Sequence, residues 1–284
     1  MKFLDKICEK PWNSHYFKAP GWFSKYPTML TAEEMRMLSW LAAHSDKAGN
    51  IIDLGSFLGG STVSLAHGVR TSGQPRQVHA YDQFLFDERA KYLFLYRKGY
   101  GYVDGQDSFP VFERFTKDYK DLIVPHRGDV QKEDCPAGDI SILFVDVSKT
   151  WKLNDYILRT FFTRLRAGAI IVQQDFLYFR NPWLYSTMWK LRDKVQLLSH
   201  AADHSVIFGV RRDLSEADVT PCLHAHTTRA EIESAIVETK KSFPDLRQRE
   251  MIDALLAAYR SRPNATGSWE FPNVAKLPFG MSDD

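Results

Sequence analysis

Three cysteines in 284 residues, Cys8, Cys135 and Cys222, lie far apart and without CxxC or Cys/His spacing. The chain therefore offers neither a disulfide framework nor a zinc site. Surplus charge is missing as well. Thirty-seven basic residues against 35 acidic ones leave a formal net charge of +2, which gives no electrostatic footprint for nucleic acid and names no partner. No apolar run reaches bilayer-spanning length, and residues 1–17 hold no continuous apolar stretch of the signal-peptide kind. The expected setting is a reducing cytoplasm without membrane contact, where the sequon Asn264-Ala265-Thr266 is accidental. Internal repeats and low-complexity tracts are absent too.

What is present fits a soluble α/β globule: 44% hydrophobic and 25% charged residues, in a chain long enough for one sizeable core with appendages. Residues 31–34, Thr-Ala-Glu-Glu, have the form of a capping box, and Met35, Leu38, Leu41 and Ala42 follow at helical spacing. The stretches NIIDLG (50–55), QVHAYD (77–82), DLIVPHRGD (121–129), ISILFVDV (140–147) and GAIIVQQDF (168–176) read as strands. Helical patterns separate them: STVSLAHGV after the first, residues 112–119 before the third, and Leu153, Ile157, Phe161 and Leu165 between the fourth and fifth. Strands apolar throughout and alternating with helices predict a doubly wound, mostly parallel sheet covered on both faces. VQLLSHAADHSVIFGVRR (195–212) offers two more strands, joined through residues 201–203. That connection is too short for a crossover helix, so the pair is antiparallel and the sheet has seven strands with one reversed.

The plan assigns residues 31–213 to this domain and leaves three segments outside it. Residues 1–30 form an arm carrying Phe3, Trp12, Tyr16, Phe17, Trp22, Phe23 and Tyr26. It is equally a lid over a ligand or a segment packed on the domain or on a second subunit. An insertion at about 84–110 is rich in Tyr, Phe and Gly. Residues 214–284 form a C-terminal extension of two helices divided by Pro244, followed by a Pro- and Gly-containing tail. Ile236, Leu255, Leu256 and Tyr259 mark the extension as a packing or dimer surface.

Residues 53–61, DLGSFLGGS, turn the first strand into a helix. Gly55 permits the bend, Gly59 and Gly60 let the backbone approach a ligand, and the helix N-terminus presents free N–H groups. In open α/β sheets ligands bind at this edge, although the spacing is not the G-x-G-x-x-G of dinucleotide sites. Acidic residues end four strands, at Asp53, Asp82, Asp129 and Asp146. Such a rim repels phosphate and suits a ligand with a sulfonium, an amino group, a ribose and an adenine, which points to S-adenosylmethionine.

These motifs in this order resemble class I S-adenosylmethionine-dependent methyltransferases, nearest to the TylF/MycF-like small-molecule (sugar) O-methyltransferases. The shared pattern is D-x-G-x-x-x-G-G-S at Asp53 to Ser61, YDQF around Asp82, RGDV around Asp129, FVDVSKTW around Asp146 and LRAGAIIVQQDF in the fifth strand, over roughly residues 28–213. The resemblance implies a cofactor set of Asp53, Gly55, Ser56, Phe57, Gly59, Ser61, Asp82, Gln83, Asp129, Val130 and Asp146. Gly55 and the turn would line the methionine part, Ser61 and the helix N-terminus would hold the carboxylate, Asp82 the ribose, and Asp129 with the Val130 amide the adenine. S-adenosylhomocysteine would be the product.

Metal-dependent members show D-G-D-H-S-Y after the fourth strand, where this chain has Asp146-Val-Ser-Lys149-Thr-Trp151. Their Asp-Asp pair after the fifth strand falls on Gln173-Gln174, with Asp175 next. Two carboxamides are poor Mg²⁺ ligands, so a metal-independent enzyme is the favoured expectation and a Mg²⁺ site on Asp146 and Asp175 the rival. Candidates for the chemistry are Asp146, Lys149, Asp175 and His204, with His200 beside them. The acceptor expected is a small molecule such as a sugar, with no nucleic acid and no membrane, while a homo-oligomer stays open. Two other readings share the sheet: a non-catalytic binding module and a nicotinamide-dependent oxidoreductase.

Overall fold

The computed structural model describes residues 3–15, 17–45, 48–178 and 180–271. The chain divides after Asp146 into two compact units. Tyr16 and the tail beyond residue 271 lie outside the described residues.

The first unit starts with α1 (Phe3–Ile7) and α2 (Ala32–His44). The capping box at α2 is present in full: Thr31 Oγ1 accepts from the Glu34 amide at 3.2 Å and Glu34 Oε2 accepts from the Thr31 amide at 2.8 Å. There follow β1 (Asn50–Leu54), α3 (Gly60–Ser72), β2 (Val78–Asp82), α4 (Glu88–Phe94), α5 (Phe109–Thr116), β3 (Ile123–Arg127) and β4 (Ile140–Val145). The four strands run parallel in the order β3-β2-β1-β4, with Ile51 opposite both Val78 and Ile142, and Val78 opposite Ile123. The interior strands are buried on both faces, which is why they read as unbroken apolar runs.

The arm is part of this core. Trp12 is fully buried against Trp40, Phe3 stacks on the same ring at 5.7 Å, and Phe23 and Tyr26 pack with Met35 and Val63. The insertion holds a helix that the hydrophobic pattern did not suggest. Its signal was a cap: Asp87 accepts from the Ala90 amide and starts α4, whose neighbour Leu95 joins Leu58, Phe86 and Val111 in a cluster.

The second unit holds α6 (Trp151–Thr160), β5 (Leu165–Gln173), α7 (Pro182–Lys190), β6 (Val195–Ala201) and β7 (Ser205–Val210). Leu165, expected on a helix, opens β5 instead, because α6 is capped off at Phe161 and a short 3-10 turn intervenes. Helix α7 also escaped the sequence reading, although Pro182 at its first turn is a start signal. Strand β7 is antiparallel to both β5 and β6, and the connecting turn is residues 202–204. Over the chain the strand order is β3-β2-β1-β4-β5-β7-β6, a seven-stranded sheet with one reversed strand as expected. Then come α8 (Glu216–Val219), α9 (Arg229–Lys240) and α10 (Leu246–Ser261). Ile236, Leu255 and Tyr259 are buried and α9 packs on both α7 and α10, so these apolar positions serve internal packing. Among the described residues no helix is long and apolar enough to cross a membrane.

Candidate functional site

In the first unit the glycine turn is held by the strand beside it. The amides of Gly55 and Ser56 both donate to the Tyr81 carbonyl, at 2.9 and 3.2 Å, and Gly55 takes a φ of +100° that only glycine adopts without strain. Around this turn Phe57, at +47°, and Phe84, at +54°, take positive φ without being glycine. Each such position costs on the order of 1 kcal/mol and persists only when its surroundings impose it. The Asp82 carboxylate does so for both: Oδ2 accepts from the Phe57 amide at 2.8 Å and Oδ1 from the Phe84 amide at 2.7 Å. Burial pushes the Asp82 carboxyl up from its ordinary value, and the two amide bonds oppose that shift.

The rim of acidic strand ends is shorter than expected. Asp82, Asp129 and Asp146 are half-buried, but Asp53 is sealed inside with no exposure. Its Oδ2 accepts from Thr62 Oγ1 at 2.5 Å, Ser61 Oγ at 2.9 Å and Ser56 Oγ at 3.3 Å, while Oδ1 is buried without a hydrogen bond. Burial raises the Asp53 carboxyl to about 6 despite those donors, with Asp82 adding to the rise. The Ser61 hydroxyl, expected on a cofactor carboxylate, thus points inward to Asp53, which leaves the helix N-terminus as the donor at that end. Asp129 caps the turn after β3 through the Gln131 amide, Val130 is buried beside it, Gln83 is exposed, and the Asp146 amide donates to Leu54 O.

Gly59 and Gly60 leave room for the protein itself. A Cβ on Gly59 would lie 2.6 Å from Thr116 Cγ2 and 3.1 Å from the Tyr26 hydroxyl. One on Gly60 would lie 2.2 Å from Thr28 Oγ1. The arm and α5 thus fill the space on the Cβ side of both glycines.

In the second unit Lys149 and Asp175 come together, with Nζ 2.5 Å from Oδ2, about a third and a quarter exposed. Asp175 has a φ of +57°, another strained position. Residues 266–268 clamp the loop that carries Lys149: the Trp151 amide donates to Thr266 O, Thr150 pairs with Gly267 as an antiparallel bridge, and the Ser268 amide donates to Lys149 O at 2.9 Å. The Ser268 hydroxyl lies between Lys149 O at 3.0 Å and Asn181 Oδ1 at 2.6 Å, and Asn181 Nδ2 donates to Asp175 O at 3.3 Å. Backbone and side chains thus form a closed ring through Lys149, Asp175, Asn181 and Ser268. Neither Asn181 nor Ser268 could be found from the sequence, since nothing in the GSWE of residues 267–270 points to residue 149.

His204 lies in the turn before β7, whose Val206 pairs with Gln173, while His200 bonds to Ala202 O and Gln248 on α10. Gln173 is buried, with its amide toward Met188 Sδ. Among the described residues no group of three or more His, Cys, Asp or Glu side chains is placed to hold a metal ion.

The chain has the fold of the class I S-adenosylmethionine-dependent methyltransferases. Among solved structures it resembles the O-methyltransferase NovP, with 14% identity over 74% of this chain and 98% of that one and a TM-score of 0.51. The calicheamicin methyltransferase CalS11 matches at 16% identity over 72% and 91% of the two chains, with a TM-score of 0.44. The fold comparison rests on NovP. No protein-family model and no curated protein matches the chain.

Proposed function

We propose that the protein transfers the methyl group of S-adenosylmethionine to a hydroxyl oxygen of a small molecule, a sugar or similar acceptor, in the cytoplasm and without a metal ion. The observation that carries this reading is Asp82. Its carboxylate braces the turn with one lone pair on each oxygen, and an ionised carboxylate accepts about four hydrogen bonds, which leaves acceptors for the two ribose hydroxyls. The half-buried carboxylates of Asp129 and Asp146 at the same edge favour a cationic ligand over a phosphate. Asp53 acts from beneath, orienting Ser56, Ser61 and Thr62 so that the start of α3 keeps its direction.

When bound, the cofactor supplies an electrophilic methyl group on a sulfonium. The chain's own part in the transfer is proton removal and positioning. Asp175 accepts the proton of the acceptor hydroxyl, and the ammonium of Lys149 holds that carboxylate in place. Support for a metal-free reaction is that Lys149 already supplies the positive charge at Asp175, while the metal-ligand positions of the resembling family carry Gln173 and Gln174.

Calorimetry with S-adenosylhomocysteine tests the reading. Saturable binding to the wild type is expected, with a loss of about tenfold or more in Asp82→Ala, since ribose acceptors and turn bracing go together. Preferential binding of NAD, or indifference to Asp82→Ala, would overturn it. Loss of transfer in EDTA restored by Mg²⁺ would overturn the metal-free form alone.

A further inference from the structure

The first unit holds a cleft of about 570 Å³ beside the glycine turn, walled by the arm at residues 22–27, the insertion at 99–100 and α5 with the turn after it. That volume suits one small organic molecule. Its charge is opposite in kind to that of the acidic strand ends. Lys25, Arg114 and Lys117 face the single carboxylate of Asp118, in a chain whose entire net charge is +2. Concentrated cations in a walled cleft attract an anion.

Aromatic faces supply the rest. Trp22 keeps 37% of its surface exposed, its ring 6.4 Å from that of Tyr119, and Tyr100 meets Phe115 edge-on at 5.1 Å. Exposed rings of this kind stack on a flat or sugar ring at little entropic cost. The walls are tied in advance: the Tyr100 hydroxyl donates to Lys25 O, Lys98 Nζ to Tyr26 O at 3.2 Å, and Arg114 Nη2 to Tyr100 O at 3.4 Å, with the guanidinium 4.9 Å from the Phe115 centroid. Arg114 keeps further N–H donors for a ligand. Tyr26 and Phe115 are shared with the turn: the Tyr26 ring lines the cleft while its hydroxyl donates to Leu58 O at 3.1 Å, and Phe115 packs on the cluster that holds Leu58.

We infer that this cleft is a second ligand site, for a small organic anion in which a ring carries a phosphate, as in a nucleotide or a sugar phosphate. The rings take the ring and the three cations take the phosphate. The inference does not depend on the methyl-transfer reading, because its test uses no cofactor chemistry.

Calorimetry at low salt with UMP, glucose 6-phosphate, uridine and inorganic phosphate decides it. Saturable binding of UMP or glucose 6-phosphate is expected, about tenfold or more tighter than uridine or inorganic phosphate, because ring and charge contribute together. The tighter of the two identifies the source, base or sugar. The double variant Arg114→Ala, Lys117→Ala removes two exposed side chains and is expected to weaken binding by about tenfold or more, with S-adenosylhomocysteine affinity and the melting temperature unchanged. Absence of binding by both phosphates, equal binding of inorganic phosphate, or an unaffected double variant would overturn it.

Discussion

Asp82 in the first unit and Asp175 in the second both hold a strained loop at the end of a strand, by different means. Asp82 grips amides 2 and 25 residues away, on its own loop and on the turn after the neighbouring strand. Asp175 is set by Lys149, 26 residues before it, and by Ser268, which reaches Asn181 across 87 residues and Lys149 across 119. The first arrangement follows once two parallel strands are paired, whereas the second waits for a segment far along the chain. The bracing by Asp82 therefore needs only adjacent strand ends, whereas the Lys149–Asp175 pair is closed by a clamp from a distant segment.

The largest effect expected tests whether the two loops divide binding from chemistry. Asp175→Asn and Lys149→Ala are expected to cut methyl transfer to an accepted small molecule by about 10²–10⁴-fold, the range of a lost general base, while leaving S-adenosylhomocysteine affinity as it is. Calorimetry beside a turnover assay with labelled methyl donor measures both, and a joint loss would erase the division.

Asp53 sharpens the contrast from the first unit's side. Its folded carboxyl, raised by burial to about 6 from 3.8, keeps its proton where the unfolded chain has lost it, so its contribution to stability falls as pH rises through that window. The difference is on the order of 3 kcal/mol. Asp53→Asn stays neutral throughout, so denaturant unfolding from pH 4 to 7 should show the variant gaining on the wild type by up to about that amount. Parallel pH profiles would count against a buried, proton-holding Asp53.

Gly60→Ala comes next, at a cost of about 1–3 kcal/mol in unfolding free energy, since its Cβ meets Thr28 in a closed space. Ser268→Ala is the smallest: about 1–2 kcal/mol for a buried serine whose one hydroxyl proton is shared between Lys149 O and Asn181 Oδ1, with a fall in methyl transfer of about tenfold and no change in cofactor affinity. Were Ser268→Ala to lower stability alone, the clamp would be structural and the reactive pair indifferent to it.

The strands, the capping box at Thr31 and the order of acidic ends were legible because each depends on neighbours in sequence or on period. Helices α4 and α7 were missed because aromatic residues blur their periodicity, although Asp87 and Pro182 marked their starts. Asp53 was placed on the rim because strand ends look alike in sequence. Its side chain turns inward to three hydroxyls that follow it at positions 56, 61 and 62, a pattern visible in retrospect. The glycine pair reads as room for a ligand, yet the Cβ side of Gly60 is closed by Thr28, more than thirty residues earlier, and that of Gly59 by Thr116, more than fifty later. Ser268 and Asn181 had no sequence signal, because a clamp across 87 residues leaves no local pattern.

The seat of Thr28 over Gly60 also ties the two positions together in inheritance. A chain that gains a methyl group at residue 60 can be accommodated only by one that gives up bulk at residue 28, so a graft that exchanges the arm between relatives must carry its matching turn. The two would be expected to change as a pair, and a chimera joined between them would fail at a boundary where each half is sound alone.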